Sequence, residues 1–245
     1  MENIFNKTLA FTCLSAFFLL NSCSKKDDET ITGSARVSFT HAAIDPATLD
    51  AYVDNEKITT IPLVPGSTSG LPADPYFTVN AGLRALRISP DNVTNVLQGN
   101  FPFKSDGVYS IFAHDTINTS GTLRALVLTD NLTAPADTKT NIRFLQLSPD
   151  TGRLDIQLVN SVDTIPFIGR AYVGSSSITE SLAVFTSVDP GNYTLNVRTT
   201  GSNTILYSTP ISLAIGKIYS IYSRGRKANG TGSISSFSVN YFSHN

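Results

Sequence analysis

The sequence predicts an all-β protein of two tandem antiparallel β-sandwich domains, preceded by a signal peptide and a short tether. Three observations lead to this fold class. Apolar and polar residues alternate along most of the 245-residue chain, as in strands that cover a core with one face. Clusters of Pro, Gly, Asp and Asn separate these strands, as turns do in sandwiches. The pattern of the first half also returns in the second, which indicates two domains of one fold.

Residues 1–22 have the pattern of a signal peptide. An apolar run from Leu9 to Leu20 follows a segment whose positive charges are Lys7 and the amino terminus. The run is shorter than the ~20 residues that a membrane-spanning helix needs. We therefore interpret it as the apolar region of a signal peptide; the less favoured alternative is a buried strand or helix.

Cys23 follows this run in the order Leu20-Asn21-Ser22-Cys23, which resembles the bacterial lipobox. The resemblance implies that Cys23 is the first mature residue and carries a diacylglycerol thioether and an N-acyl chain, because its thiolate is the nucleophile. Each buried methylene contributes ~0.8 kcal/mol, so two or three chains hold a protein on a membrane durably. Cys13 lies in the removed segment, so we expect no disulfide.

Residues 23–33 form the predicted tether, since a stretch rich in Lys, Asp and Glu cannot bury apolar area. Its residues Lys26, Asp27, Asp28 and Glu29 also resemble the acidic export signal of Bacteroidota lipoproteins. That resemblance implies a lipid-anchored protein of the outer membrane that faces the cell exterior. The alternative is a solvated tether with no role in routing.

The internal repeat defines the predicted domains. The segment that contains Phe39 aligns with the segment that contains Phe144 at a constant offset, and later offsets grow only through loops. We expect one sandwich at residues 34–134 and another at residues 138–245. A polar stretch around Pro135 joins them.

The stretch VSFTHAAIDPATLDAYVDN is similar to the first strands of a tandem extracellular bacterial domain of unknown function, which read roughly Val-Arg-Phe-Val-His-Ala-Ser-Pro-Asp. The resemblance covers residues 35–245. It departs where Ile44-Asp45-Pro46 replaces Ser-Pro-Asp and where Gln146 replaces His. It implies immunoglobulin-like sandwiches and an exported protein, and it brings no established activity.

The balance of charge argues against nucleic acid as a partner. The formal net charge is −1, and removal of a segment that contains Glu2 and Lys7 leaves it unchanged. No basic stripe appears along the strands. The remaining expected partners are the membrane, through the lipid, and an extracellular protein or glycan.

A metal site is the first chemical alternative, because imidazole and carboxylate groups bind divalent ions. The candidate ligands are His41, Asp45, His114 and Asp115. In the second repeat Gln146 takes the place of His41, and the cation Arg224 takes the place of His114. We therefore predict no metal and no cofactor, and expect His41 to be a hydrogen-bonded structural histidine.

Catalysis is the second alternative. A nucleophile needs a neighbouring base, but the chain has three histidines and no Gly-x-Ser-x-Gly motif. Paired acids for glycoside hydrolysis could come from Asp50, Asp54 and Asp155, which occupy outward strand positions. We predict no catalytic residue and no enzymatic activity, with a glycan-active hydrolase as the less favoured alternative.

Two residue pairs that recur in both repeats have structural interpretations. Asp45 and Asp150 lie beside prolines between strands, where an Asp side chain can bond to the backbone two residues on. Tyr109 and Tyr219 alternate with apolar residues. We expect these tyrosines to be core or sandwich-corner aromatics.

The function that these observations favour is a non-catalytic binding or adhesion module. The alternative is a structural envelope component, such as a pilus-related subunit that exchanges strands between copies; the pairing of the last strand, within residues 233–245, discriminates between them. Thr116 and Thr164 each lie in an Asp-Thr-Ile sequence that resembles the O-glycosylation sequon of Bacteroidota.

Overall fold

The computed structural model describes residues 32–174 and 180–245. Cys23, the acidic segment Lys26–Glu29 and the signal peptide lie outside the described residues. Within the described part, no helix combines the length and apolar character needed to cross a bilayer. Strands dominate and form four four-stranded sheets, which confirms the predicted fold class.

The first half of the chain forms two sheets. The outer sheet has the strand order β3-β2-β5-β6, and the inner sheet has the order β4-β1-β7-β8. The strands are β1 (Ser34–Ala43), β2 (Asp50–Val53), β3 (Glu56–Lys57), β4 (Phe77–Asn80), β5 (Gly82–Ser89), β6 (Leu97–Phe103), β7 (Val108–Asp115) and β8 (Arg124–Thr129).

The second half repeats this topology, with an outer sheet β11-β10-β13-β14 and an inner sheet β12-β9-β15-β16. Its strands are β9 (Thr140–Gln146), β10 (Leu154–Val159), β11 (Thr164–Arg170), β12 (Thr186–Val188), β13 (Gly191–Thr199), β14 (Ile205–Leu213), β15 (Ile218–Arg224) and β16 (Ser238–Ser243). A short helix, α1 (Glu180–Ala183), and a 3₁₀ helix (Lys227–Asn229) complete it. The repeat in the sequence is therefore a repeat of the fold.

One pair of strands in each half is parallel. β1 runs parallel to β7, and β9 runs parallel to β15, whereas the other neighbouring strands are antiparallel. The alternation of apolar residues predicts a strand and its buried face. It does not predict whether neighbouring strands are parallel or antiparallel, because the alternation is the same in both directions of the chain. The prediction of antiparallel sandwiches therefore lacked this detail.

Each half encloses one apolar core between its own two sheets. Phe39 and Ile111 of the first inner sheet pack with Leu86 of the outer sheet. The second half repeats the arrangement, with Phe144 in the place of Phe39. Parity along the strands predicts these residues correctly, because side chains two positions apart share a face.

The tyrosines that recur in the repeat occupy these cores, as expected. The Tyr109 hydroxyl accepts a hydrogen bond from the backbone N–H of Lys104 at 3.0 Å. The Tyr219 hydroxyl accepts one from the backbone N–H of Ala214 at 3.1 Å. Both bonds reach five residues back, as a tyrosine at a sandwich corner does.

The second faces of the two inner sheets pack against each other. Phe112 and Leu128 of the first half meet Leu145 and Tyr222 of the second half in a third apolar cluster. The four sheets therefore form four layers, and the central strands of the inner sheets, β1, β7, β9 and β15, are buried on both faces over most of their length. The expectation of strands that cover a core with one face is wrong for these central strands.

The last strand stays within its own half. β16 pairs antiparallel with β15 along six residues, from Ser238 to Ser243. Three edge strands contain a proline, which cannot donate to a further strand: Pro102 in β6, Pro166 in β11 and Pro210 in β14. Both features argue against donor-strand exchange between copies.

Candidate functional site

A group of buried polar side chains lies where the two inner sheets meet, and we call it the interface cluster. Its members come equally from the two repeats and are all at least nine-tenths buried: Tyr76, Ser110, Asp130, Arg143, Ser220 and His244. The inner sheets position them, because each lies on or beside a strand of these sheets. Buried polar groups are costly unless they are hydrogen-bonded, so their partners determine what the cluster can do.

Asp130 is the hub of the interface cluster. Its carboxylate accepts a hydrogen bond from Arg143 Nη1 at 2.7 Å, in an ion pair whose two side chains are at most 1 % exposed. The hydroxyl groups of Ser110 and Tyr76 donate to its other oxygen at 2.6 and 2.7 Å. These donors offset the cost of removing the carboxylate from water.

A second chain of hydrogen bonds runs through His244. Arg143 Nε donates to Ser220 Oγ at 2.7 Å, and Ser220 Oγ lies 2.7 Å from His244 Nε2. Nδ1 of His244 lies 2.5 Å from the Tyr76 hydroxyl. Burial, with the nearby Arg143 cation, lowers the pKa of His244 to about 3. A neutral His244 with its proton on Nδ1 satisfies every one of these contacts.

The structure thus brings together a serine, a histidine and an acid, which sequence reasoning missed. Ser220, His244 and Asp130 follow the order of a catalytic triad, with Tyr76 between the histidine and the acid. However, Ser220 is fully buried, and a histidine with so low a pKa is a weak base at neutral pH. The arrangement joins the two sandwiches and does not present its serine to a substrate.

The cluster depends on differences between the two repeats. Asp130 and His244 occupy equivalent positions, since each follows the last strand of its inner sheet and donates its backbone N–H to the start of β7 or β15. Ser38 and Arg143 are equivalent too, because they pair with Ser110 and Ser220. Asp130 of the first repeat therefore meets Arg143 and His244 of the second repeat.

The histidines of the candidate metal site have separate environments. His41 Nε2 bonds to the carbonyl of Pro46 at 2.8 Å, which confirms a hydrogen-bonded structural histidine. His114 is fully buried, and neither of its ring nitrogens has a hydrogen-bond partner among residues 32–174 and 180–245. Asp115 accepts hydrogen bonds from Tyr172 and from Arg124. Among the residues that the structure describes, no three His, Cys, Asp or Glu side chains converge.

Asp45 and Asp150 bind a distant loop and not their own turn, which corrects the expectation. Asp45 Oδ1 accepts hydrogen bonds from the backbone N–H of Ile117 at 2.9 Å and from the Thr116 hydroxyl at 3.0 Å. Asp150 accepts the backbone N–H groups of Lys227 and Ala228 at 2.8 and 2.9 Å. The aspartates thus hold the loops that follow β7 and β15 against the turns that follow β1 and β9. A local sequence pattern cannot show these partners, because they lie more than 70 residues away in the chain.

The two threonines of the Asp-Thr-Ile sequences differ in accessibility. Thr164 is exposed at the start of β11, whereas Thr116 is half-buried and its hydroxyl donates to Asp45. Glycosylation of either threonine stays a prediction.

The acids of the glycosidase alternative are each held by local partners. Asp50 forms an ion pair with Lys57 at 2.9 Å, and Asp54 forms one with Arg84 at 3.5 Å. Asp155 accepts the backbone N–H of Gly169 at 2.7 Å, and this hydrogen bond is the largest cause of its lowered pKa. These bonds tie each of the three carboxylates to its own sheet.

A cleft of about 420 Å³ lies beside the interface cluster, and we call it the linker cleft. Its polar lining consists of Thr129, Asn131, Thr133, Asn141 and Ser187, and its apolar lining of Ala134, Pro135, Ala136, Ala183, Val184 and Phe185. Phe185 connects the cleft to the cluster, since its ring lies 4.6 Å from the Arg143 guanidinium and 5.4 Å from the His244 ring.

The linker cleft has the chemistry of a site for an uncharged ligand. None of the described residues that line it is charged. Hydroxyl and amide groups can bind polar atoms, and the apolar groups with Phe185 can cover an apolar face. The sequence offered one signal for this site, the polar stretch around Pro135 between the repeats.

Two solved structures that match this chain are distantly similar to it. A leucine-rich repeat protein from Bacteroides thetaiotaomicron VPI-5482 aligns with 80% of this chain and 26% of its own, at 10% identity and a TM-score of 0.21. This chain thus spans about a quarter of that protein. CBMbc (family CBM26) from Eubacterium rectale Amy13K, solved with maltoheptaose, aligns with 84% of this chain and 95% of its own, at 14% identity and a TM-score of 0.25. TM-scores this low carry no argument about fold or ligand.

The family comparison is informative. No curated protein matches the chain. A family of extracellular sandwiches of unknown function was expected from the first strands, and the sequence profile that matches covers the first repeat and the start of the second. The matching profile is described as Domain of unknown function (DUF4397), and it covers residues 35–157, half of the length of the chain. The chain therefore belongs to that family.

Proposed function

We propose that the protein is a lipid-anchored, non-catalytic binding or adhesion module of the bacterial outer membrane, facing the cell exterior, with a ligand site in the linker cleft. The observation that carries the proposal is the uncharged lining of this cleft, between the linker and α1. Its hydroxyl, amide and aromatic groups suit binding, while the titratable groups of the interface cluster lie buried beneath it. An extracellular glycan or protein segment without charge is the ligand class that this lining favours.

The alternatives have less support. A pilus-related subunit needs a strand free for exchange, but β16 is paired within its own sheet. A glycan-active hydrolase needs two facing carboxyl groups, whereas Asp50 and Asp155 are each held by local partners.

Filling the linker cleft should weaken ligand binding. Ser187 is exposed on β12 and lines the cleft, so Ser187→Trp is expected to reduce affinity at least about tenfold by occupying the space of the ligand. A screen of neutral glycans and peptides with the purified full-length protein in detergent identifies the ligand, and calorimetry measures the affinity.

The matched control is Thr119→Trp, which adds the same side chain at an exposed loop position outside the cleft lining. It should leave binding unchanged. Equal binding by both variants would place the ligand site elsewhere on the molecule.

The membrane anchor is tested separately at Cys23 and at Lys26–Glu29. The variant Cys23→Ser should lose the mass of the acyl chains and keep the signal peptide, because a hydroxyl is too weak a nucleophile for the lipid. Replacement of Lys26–Glu29 by neutral residues should keep the lipid but protect the protein from protease added to intact cells. Ser24→Ala is the control for both. An unmodified protein resistant to surface protease would contradict the anchored, outward-facing proposal.

A further inference from the structure

A second concavity lies on the solvent face of the first outer sheet, on β5, β6 and the turn after β2, and we call it the amide pocket. It has a volume of about 460 Å³, and its polar side chains are outside the core of the sandwich. Four exposed amides, Asn55, Asn95, Gln98 and Asn100, line it together with Arg87. The linker cleft shares none of these residues.

Arg87 is held rigidly in the amide pocket. Its guanidinium group lies 3.6 Å from the centre of the Tyr52 ring, which it covers. Nη2 donates to the side-chain oxygen of Asn92 at 3.2 Å, and Nη1 donates to that of Asn95 at 3.3 Å and to the backbone carbonyl of Asn92 at 3.4 Å. A stacked and hydrogen-bonded guanidinium loses little entropy when a ligand binds.

The cation of Arg87 is uncompensated. Within residues 32–174 and 180–245, no carboxylate forms an ion pair with it, and no acid lines the pocket. A guanidinium group has five N–H donors, and the contacts to Asn92 and Asn95 use three. The two that remain, on Nε and Nη2, are the pair that a carboxylate binds side-on.

The rest of the pocket suits hydroxyl groups. Each of its amides offers two donors and an acceptor, and Asn95 Nδ2 already orients Gln98 by donating to its Oε1 at 3.1 Å. Ala85 pairs with Asn100 across β5 and β6, and its exposed methyl group leaves room for a ligand beside Gln98 and Asn100. Adjacent hydroxyl groups of a sugar ring match such a row of amides.

We propose that the amide pocket binds a carbohydrate that carries a carboxylate, such as a uronic acid unit. The carboxylate pairs with Arg87, and the sugar hydroxyls bond to Asn95, Gln98 and Asn100. The proposal goes beyond the linker cleft, because it assigns a second site with a charged ligand to a different layer of the molecule.

The second repeat contains a natural control. The outer sheet of the second half has a concavity of about 500 Å³ that includes Arg198. There Arg198 donates to Gln157, and Asp155 lines the same concavity. Asp155 is the strand partner of Arg198 and places a negative charge beside it, so this site should attract a carboxylate less than the amide pocket does.

The test measures binding of an oligogalacturonate to the full-length protein in detergent by calorimetry, with a neutral galactose oligosaccharide and polyglutamate as comparison probes. We expect the oligogalacturonate to bind and both comparison probes to bind at least about tenfold more weakly. Arg87→Gln should weaken oligogalacturonate binding at least about tenfold, and Arg198→Gln should leave it unchanged. Added salt should weaken the binding of the parent protein.

Ala85→Trp is a second variant, which fills the pocket from the outward face of β5 without removing a side-chain hydrogen bond, and it should abolish oligogalacturonate binding while thermal unfolding stays unchanged. Absence of oligogalacturonate binding, equal binding of the neutral sugar, or equal loss in Arg87→Gln and Arg198→Gln would overturn the proposal. Equal binding of polyglutamate would overturn it in favour of an acidic peptide. The linker-cleft variant Ser187→Trp should bind the oligogalacturonate normally, so failures of the two sites are distinguishable.

Discussion

Replacement of Asp130 by alanine is expected to lower the free energy of unfolding by about 3–5 kcal/mol, the cost of breaking a buried ion pair from one side. Arg143 would stay in the interface without its carboxylate. The hydroxyl groups of Tyr76 and Ser110 would lose their common acceptor as well. Urea-induced unfolding followed by circular dichroism measures the change.

The control for this prediction is Asp189→Ala. Asp189 forms an ion pair of 2.6 Å with Lys139, but both side chains are more than one-third exposed. Exposed pairs of this kind contribute at most about 1 kcal/mol. If Asp130→Ala costs no more than this control, the interface cluster does not hold the sandwiches together.

A double variant separates the ion pair from the hydroxyl groups around it. Asp130→Leu combined with Arg143→Met removes both charges and keeps apolar volume, so it should regain most of the lost stability. If the double variant is no more stable than Asp130→Ala, the hydrogen bonds of Tyr76 and Ser110 carry the stability instead.

Acidification from about pH 6.5 to pH 4 is expected to destabilise the fold strongly. Burial lowers the pKa of His41 and of His114 to about 4, and that of His244 to about 3. A histidine of the unfolded chain titrates near ~6.5. Between these values the unfolded state binds more protons than the folded state, so the free energy of unfolding falls as the pH falls, by about 3 kcal/mol for each histidine.

His114→Phe isolates one of these groups. The His114 ring packs edge-on against Tyr172 and makes no hydrogen bond to the residues that the structure describes, so a phenyl ring keeps the packing and removes two nitrogens without a partner there. At pH 7 the variant should be as stable as the parent protein or more stable. Between pH 4 and 6.5 its free energy of unfolding should also change less with pH, because unfolding takes up about one proton fewer than in the parent protein.

His41→Phe is the matched comparison, because it loses the hydrogen bond to the carbonyl of Pro46 and should be less stable at pH 7. Urea unfolding at several pH values measures both variants. A His114→Phe variant with the pH dependence of the parent protein would show that His114 does not titrate in this range.

Much of the fold follows from the sequence because its determinants are local. The alternation around Phe39 and Phe144 marks strands and their core faces, and the repeat predicts one topology for both halves. The sequence predicts core positions for Tyr109 and Tyr219 for the same reason, since they share parity with apolar neighbours, and both are buried.

The sequence contains an indication of the face-to-face packing of the inner sheets, which the prediction of single-faced strands did not use. Phe112, Leu145 and Tyr222 are apolar residues at positions that alternation assigns to solvent. Apolar residues at these positions in both repeats indicate a second buried face. The pattern does not say which surface covers that face.

By itself, the sequence determined the strands, the duplication and the two separate cores, because side-chain parity and turn residues act over a few positions. Only the tertiary structure decided that the repeats join through a buried acid and base. Tyr76, Asp130 and His244 meet although 168 residues separate the first from the last. Which faces of two finished sandwiches come together depends on the complementarity of whole surfaces, and no local pattern of residues contains that information.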